Sequence, residues 1–353
     1  MKKFTQLLLL TSALILSGCT KPEPSKINIY YKDETLTEVI EFSTLVDLES
    51  KILNKDNFIL VSYADQTCAC WGTFEQLVLN PFVNETKIPI YVIKTSLLGD
   101  DLRGLPINSA HSNTPVVGIF DEGIYKYGVA YNEDTTIFTQ KTKFSAWLDT
   151  YIIRPIMTYI SLDKLNTLLK GTTPFIINWS LEMCPDCTAI NHRFMRDYFK
   201  NNEISQKLPY YLIETKDIRP QTELWTNIKK VYGLSDELNK VSGYGTGFVP
   251  ALQVIHPDGN DYVTSGDLSP IITDMFVFQN EFVEKVGEEY KISDSYFNGV
   301  RATKYLGNYE SEIGKVVDPS LVYQRETGYR FVAGARYDQN AIFATKFFDY
   351  YWK

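Results

Sequence analysis

Two cysteines separated by two residues, in Cys184-Pro185-Asp186-Cys187, stand shortly after the apolar run Pro174-Phe175-Ile176-Ile177-Asn178-Trp179 and before a segment of helical character. That order predicts a strand, a tight loop and a helix whose N-terminus carries the first cysteine. Backbone N–H groups and the helix dipole at such a terminus stabilise a thiolate. Pro185 suits the first helical turn, where its missing N–H costs nothing. The arrangement is built for thiol–disulfide exchange, and it places this stretch in an α/β fold.

Zinc is the other common use of such a pair, but a closed zinc site needs four ligands, usually a second pair or histidines. The chain has no second CxxC and only three histidines. Of its five cysteines, Cys19 falls in an N-terminal leader, and the other four form two close pairs, Cys68/Cys70 and Cys184/Cys187. None is left for a long-range staple, so both pairs read as local and redox-type.

The leader reads as an export signal. Lys2-Lys3 is its basic region, Leu7 to Leu16 is an apolar core too short to span a bilayer, and Leu16-Ser17-Gly18-Cys19 resembles a bacterial lipobox. Such a box implies cleavage before Cys19 and acylation of its thiol. Residues 20–26, with two prolines, then serve as a tether, and the acyl chains hold the protein on the outer face of the cell membrane. The chain has 353 residues, 44% of them apolar, enough for two domains with cores of their own. Loss of Lys2 and Lys3 leaves 33 basic against 43 acidic residues, a net charge near −10, which argues against a nucleic-acid partner.

A theme recurs along the chain. Ile27 to Tyr31, Phe58 to Tyr63 and Ile88 to Lys94 read as strands, with a helix from Glu41 to Asn54. Pro115 to Phe120 and Ile124 to Tyr127 read as a hairpin across Asp121-Glu122-Gly123, and Ile137 to Ile153 as a closing helix. A second copy starts at Met157, with Ser161 capping a helix that ends at Gly171. Strands at Phe175–Trp179 and Leu208–Ile213 and a helix at Gln221–Tyr232 follow. Ala251–Ile255 and Tyr262–Thr264 are expected as the second hairpin, and Ile271 to about Val286 as the second closing helix.

Strand and helix in the order βαβαβ then ββα, twice, with a C-P-x-C motif, resemble the thioredoxin fold. The resemblance implies an α/β protein of two tandem thioredoxin-like domains, each a central mixed β-sheet flanked by helices, with a C-terminal extension. The expected divisions are 1–19 for the signal peptide, 20–26 for the tether, 27–153 for domain 1, 154–288 for domain 2 and 289–353 for an aromatic-rich extension. That extension ends in an amphipathic helix with Ile342, Phe343, Phe347 and Tyr351 on its apolar face. It is expected to cap domain 2, or to bind client peptides.

In this family a cis-proline opens the strand after the long crossover and faces the cysteines. Val249-Pro250, closing the run Gly243 to Pro250, fits that place, and Thr114-Pro115 fits it in domain 1. The resemblance gives Cys184 the role of attacking thiolate and Cys187 that of resolving thiol. Val249, Pro250, Thr114 and Pro115 would bind a client strand by edge pairing, and Trp179, packed beside the site, would belong to the same client-binding surface. Two positions depart from the pattern: the buried acid six residues before the first cysteine is Asn178, and the helix proline five residues after the second is His192. Asp186 adds a charge that opposes a Cys184 thiolate, while the helix terminus favours one.

Domain 1 departs further. Its loop reads Thr67-Cys68-Ala69-Cys70-Trp71, so alignment of Cys68 with Cys184 puts Trp71 in the resolving position, and Ser62 takes the place of the acid. Cys68 and Cys70 can be a second exchange site, or the domain can be degenerate and serve to hold substrate. With His111 they also form a set suited to Cu(I), as in copper chaperones of similar fold. The leading expectation is a membrane-anchored thiol–disulfide oxidoreductase acting on exported proteins. It needs no organic cofactor and is served by a membrane redox partner; the exported bacteriocin-transport accessory proteins are a related possibility, though this chain is much longer. The alternatives are a non-catalytic thioredoxin-like binding lipoprotein, and copper handling through Cys68, Cys70 and His111.

Overall fold

The computed structural model describes residues 24–64, 69–98, 105, 114–202, 204–205, 208–234, 249–277, 283–293, 311–325 and 328–353. The signal, Cys19, most of the tether, Cys68, His111 and the run before Val249 lie outside these residues.

The chain opens with two short strands, β1 (Ile27–Asn28) and β2 (Tyr31–Asp33). The first unit then comprises β3 (Ile40–Glu41), α1 (Leu45–Leu53) and β4 (Phe58–Tyr63), followed by a long helix, α2. Helix α2 runs through Ala69–Phe74, a π-helical turn at Glu75–Leu79, and Asn80–Thr86. After it come β5 (Ile90–Lys94), α3 (Thr95–Leu98), β6 (Val116–Asp121), β7 (Ile124–Ala130), α4 (Thr135–Thr139) and α5 (Lys141–Tyr151). The sheet order is β3-β5-β4-β6-β7, with β6 antiparallel to β4. That is the strand order of the thioredoxin-like fold. Every residue of β4 is buried, as expected of a central strand covered by helices on both faces. The β6–β7 turn holds Glu122 at φ +52 and Gly123 at φ +76; two left-handed residues in a two-residue turn match the twist of the strands.

A link strand, β8 (Ile152–Ile153), leads into the second unit. Its elements are β9 (Met157–Tyr159), α6 (Leu162–Leu169), β10 (Phe175–Ser180), helix α7, β11 (Tyr210–Glu214), α8 (Thr222–Val231) and β12 (Ala251–Ile255). A one-turn helix α9 (Tyr262–Ser265) and β13 (Ile272–Val277) follow. Helix α7 runs through Pro185–Thr188, a π-helical turn at Ala189–Phe194, and Met195–Asn201. The sheet order is β13-β12-β10-β11-β9-β2, the same five-strand order with β2 added at the edge. The chain is thus an α/β protein of two tandem thioredoxin-like units.

Three expectations change. The strand read at Ile27–Tyr31 does not join the first sheet: β1 pairs with β8, and β2 lies parallel to β9, with Tyr31 opposite Met157. The start of the chain therefore stitches the two units together. Tyr262–Thr264 is helical, capped by the Asp261 side chain, which accepts from Thr264 N–H. The third change concerns the closing helix expected over 271–286. Ile272–Val277 is instead the outer strand of the sheet, antiparallel to β12. Its β-branched and aromatic residues suit a strand, and Asp274, buried within it, accepts a hydrogen bond from Tyr351 Oη at 2.7 Å.

The closing helix comes from the chain's end. Strands β14 (Val283–Val286), β15 (Glu289–Ile292), β16 (Val316–Val317), β17 (Val322–Arg325) and β18 (Gly328–Phe331) form a separate five-stranded sheet. Helix α10 (Ala333–Trp352) then returns to the second unit. Its buried stripe is Asn340, Phe343, Ala344, Phe347, Phe348, Tyr351 and Trp352, spaced three and four apart, whereas Ile342 is exposed. Phe348 packs on Phe194 and Tyr198 of α7 at 5.8 and 5.7 Å. Phe144 of α5 meets Phe74 and Phe82 of α2 in the same way, at 5.6 and 5.2 Å. Helix α10 stands to α7 as α5 stands to α2, and the small sheet is an insertion ahead of it. Among the described residues, no helix is long and apolar enough to cross a membrane.

Candidate functional site

Strand β10 ends at Ser180, and the turn after it delivers Cys184 to the N-cap of α7. Cys184 has extended backbone angles, φ −87 and ψ 121, and Pro185 takes the first helical position, as the sequence predicts. The Cys184 sulfur accepts the Cys187 backbone N–H at 3.3 Å. Cys184 is half-buried, while Cys187, one turn into the helix, is 1% exposed. The Cys187 sulfur accepts the Leu181 N–H at 3.3 Å. Both thiols are free.

The second side of the site is the entry to β12. Val249–Pro250 is the one cis peptide bond among the described residues, at the place expected for it. Strand β12 pairs antiparallel with β10, Ala251 opposite Trp179, so Val249 is carried to the cysteine loop. The Cys184 thiol lies 3.6 Å from the Val249 carbonyl.

Electrostatics divide the two thiols. Cys184 is lowered to about 6, first by the hydrogen bond from the Cys187 thiol, with burial opposing it; the backbone N–H groups of Cys187 and Asp186 add to the lowering and the Asp186 charge works against it. Cys187 is pushed strongly up, by that same hydrogen bond to Cys184 and then by burial. One sulfur carries the negative charge and the other keeps the proton. A half-buried nucleophile beside a fully buried, protonated reserve thiol is what two-step disulfide exchange requires.

Behind Cys187 stands a polar network with no acid in it. Asn178 donates to Asn191 Oδ1 at 2.7 Å and to Tyr210 Oη at 2.8 Å, and Asn191 donates to Ser180 Oγ at 2.7 Å. Asn178, at 0% exposure, fills the acid's place with a neutral amide whose donors are used. Trp179 does not present a client surface. It is fully buried, its indole N–H donates to Gln253 Oε1 at 2.8 Å, and its ring packs on Tyr232. Every residue of β10 is buried, and the Trp179 ring lies in the core of the second unit.

A cleft of about 470 Å³ opens beside the site, between the units. Ser180, Leu181, Cys187, Asn191, His192 and Glu214 line one side of it, and Lys51, Asp56 and Tyr91 the other. His192, given no role by the sequence, has its Nδ1 2.8 Å from Asp56 Oδ1. Lys51 Nζ lies 3.1 Å from Asp56 Oδ2 and 4.9 Å from the centre of the Tyr91 ring. Burial works against the Asp56 carboxylate, but His192 and Lys51 outweigh it and hold its value down. Nothing local marks this trio: Lys51 and Asp56 belong to the first unit and His192 to the second, and they meet across the cleft.

The first unit is different. Cys70 sits in the first turn of α2 and is disulfide-bonded, while Cys68 and His111 lie outside the described residues. Trp71, aligned with the resolving thiol, stacks on Tyr63 at 4.1 Å and meets Phe74 edge-on. Thr114–Pro115 precedes β6 as Val249–Pro250 precedes β12, but its bond is not cis. Trans is the lower-energy form for an X-Pro bond, and here Pro115 is anchored through its carbonyl, which accepts the Tyr131 N–H at 3.0 Å. Sequence reasoning also missed Arg336, whose Nη2 donates to Asp186 Oδ1 at 2.9 Å across 150 residues.

No family model matches the chain, and no curated protein matches it. Among solved structures it is similar to human ERp44 form II, at 10% identity and a TM-score of 0.32, over 84% of this chain and 66% of that one. It is similar to the bb fragment of ERp72, at 11% identity and a TM-score of 0.30, over 63% of this chain and 86% of that one. A third is ERdj5 form II, at 9% identity and a TM-score of 0.25, over 62% of this chain and 26% of that one. This chain spans just under two thirds of the ERp44 chain. The fold assignment rests on the strand order of the two sheets.

Proposed function

We propose that this protein is a thiol–disulfide oxidoreductase whose reacting pair is Cys184 and Cys187. The observation that carries the reading is the unequal pair: a half-buried thiol lowered to about 6 at a helix N-terminus, beside a buried one that keeps its proton. To reduce a client disulfide, the Cys184 thiolate attacks one client sulfur. A Cys184–client disulfide forms, and the other client sulfur leaves as a thiolate. Cys187 then gives up its proton and attacks the Cys184 sulfur, forming the Cys184–Cys187 disulfide and releasing the second client thiolate. Oxidation of a client is the same path reversed.

The lowered Cys184 stabilises the dithiol form, which makes the disulfide form the better electron acceptor. The direction of exchange then follows from the potential of the couple against that of the client. An extended client segment would pair with the backbone at Val249–Pro250, beside the Cys184 sulfur. The lipobox-like run before Cys19 supports a lipid-anchored protein on the outer face of a bacterial membrane, with exported proteins as clients and a membrane protein as redox partner. The first unit, with Trp71 in place of a resolving thiol, serves as a scaffold or client-holding unit.

The test is a trap. With Cys187→Ala, the second step is lost, so clients should accumulate as mixed disulfides with Cys184, visible on non-reducing gels and absent in Cys184→Ala. An empty gel, together with a wild-type protein that neither oxidises nor reduces a small peptide disulfide, overturns the reading.

A further inference from the structure

Asp186 stands between the two cysteines, and its charge opposes a thiolate at Cys184. Its counterion comes from the far end of the chain. Arg336 lies in the first turn of α10, and its guanidinium donates to the Asp186 carboxylate at 2.9 Å. Both side chains are largely shielded, at 29% and 26% exposure, so the pair is less screened than a surface one.

The pair is not a stray surface contact, because α10 is fixed along the active-site helix. The Arg193 guanidinium of α7 lies 3.7 Å above the ring of Tyr337, the residue next to Arg336. Farther on, Phe348 packs on Phe194, and Tyr198 Oη donates to Asp349 at 2.9 Å. The guanidinium is thus delivered to the cysteine loop by the same helix that closes the unit's core. Among the described residues, the groups shown to face Cys184 are Cys187 and Asp186 from α7, the Val249 carbonyl from the entry to β12, and, through Asp186, Arg336 from α10.

We propose that Arg336 is a positioning residue for the exchange site: by holding and neutralising Asp186 it sets how readily Cys184 gives up its proton. The use of this setting rests on the oxidoreductase reading above, but the setting itself does not. The Asp186 charge disfavours the Cys184 thiolate, and a guanidinium bonded to that carboxylate offsets part of its field. The reactivity of Cys184 then depends on α10 being docked, so the last helix of the chain tunes the reactive loop as well as closing the fold.

The experiment measures alkylation of Cys184 by iodoacetamide against pH in the reduced full chain, read on the Cys184 peptide by mass spectrometry. With Arg336→Gln, the midpoint should rise by about half a unit to one unit, which slows alkylation at pH 6 about two- to fivefold. Arg336→Lys should stay near wild type, and in an Asp186→Asn background Arg336→Gln should shift the midpoint clearly less, because only the guanidinium's own field is then lost. An unmoved midpoint in Arg336→Gln, or a shift of equal size in the Asp186→Asn background, overturns the proposal. If Arg336→Gln does not fold, Asp186→Asn alone decides: its midpoint must fall, and an unchanged or raised one overturns it. Failure of the function reading shows separately, as a wild-type protein without exchange activity whose Cys184 midpoint still responds to Arg336.

Discussion

Replacing Cys187 with Ala removes the S–H group that does most to hold Cys184 at about 6. The backbone N–H groups of Cys187 and Asp186 and the helix terminus remain, and burial and the Asp186 charge still oppose them. Cys184 should therefore move part of the way back to the value of a free thiol, about 8.5, a rise of roughly one to two units. At pH 7 a thiol at 6 is about nine-tenths ionised, and one at 7 to 8 is between about half and one-tenth ionised. Alkylation of Cys184 at pH 7 should then slow about two- to tenfold in Cys187→Ala, and the two rates should converge near pH 9. The assay is the rate of iodoacetamide labelling of the reduced protein across pH 5 to 9. A midpoint for Cys187→Ala that matches wild type would refute the reasoning, because the helix terminus alone would then be setting the nucleophile. The same logic fixes the best pH for the client trap, about 8 to 9, where the weakened nucleophile is ionised again.

The remaining predictions concern potential, stability and the seam. The Cys184–Cys187 couple should lie between thioredoxin, at about −270 mV, and the strongest oxidants of this fold, at about −120 mV; a glutathione equilibrium giving a value below thioredoxin's would refute a stabilised Cys184 thiolate in the dithiol form. Because Cys184 is lowered on folding, its contribution to the stability of the dithiol form is fully present above about pH 8.5 and is lost as pH falls through about 6. Thermal melts of reduced and oxidised protein should show that slope only in the reduced form. Phe348→Ala, at 0% exposure between α10 and α7, should cost about 3–5 kcal/mol, and a chain ending at residue 288 should lose the second unit's cooperative unfolding. Asp56→Ala leaves Lys51 and His192 facing each other across the seam and should cost about 3 kcal/mol in chemical denaturation. Asp56 is held below its ordinary value, so its share is present above about pH 4 and is lost as acid protonates it.

Local chemistry was legible in the sequence. The Cys184-Pro185-Asp186-Cys187 loop, the Ser161 cap, the Glu122-Gly123 turn and the buried runs of β4 and β10 each announce themselves within ten residues. The second unit's ending did not. Ile272 to Val277 is a strand by its β-branched and aromatic residues, yet Asp274 interrupts the apolar pattern, and its partner, Tyr351, lies 77 residues away. The closing helix expected at 271–286 is displaced by an inserted sheet, and the amphipathic stripe of α10 does not say which unit it closes. Trp179 is a similar case. An indole near a redox loop suits a client surface, but its N–H is used by Gln253 from a strand 74 residues on, and that bond fixes the ring inside.

Asn178 and His192, the two positions that depart from the pattern the motif resembles, share a physical consequence. An acid behind the resolving thiol would need a route for its proton, and Asn178 removes the acid while Asn191, Ser180 and Tyr210 occupy the space around it with hydrogen bonds that carry no charge. The helix proline is replaced by His192, which keeps its ring for Asp56 of the other unit. Charge has thus moved from behind Cys187 to two places reached only through the tertiary fold: the seam, where Lys51 and His192 flank Asp56, and the helix start, where Arg336 meets Asp186. Both tie the cysteine-bearing helix α7 to parts of the chain far from it in sequence, one through Asp56 in the turn after α1 and one through Arg336 of α10. A site built this way has the charges around it in place only when both units and the last helix are folded together.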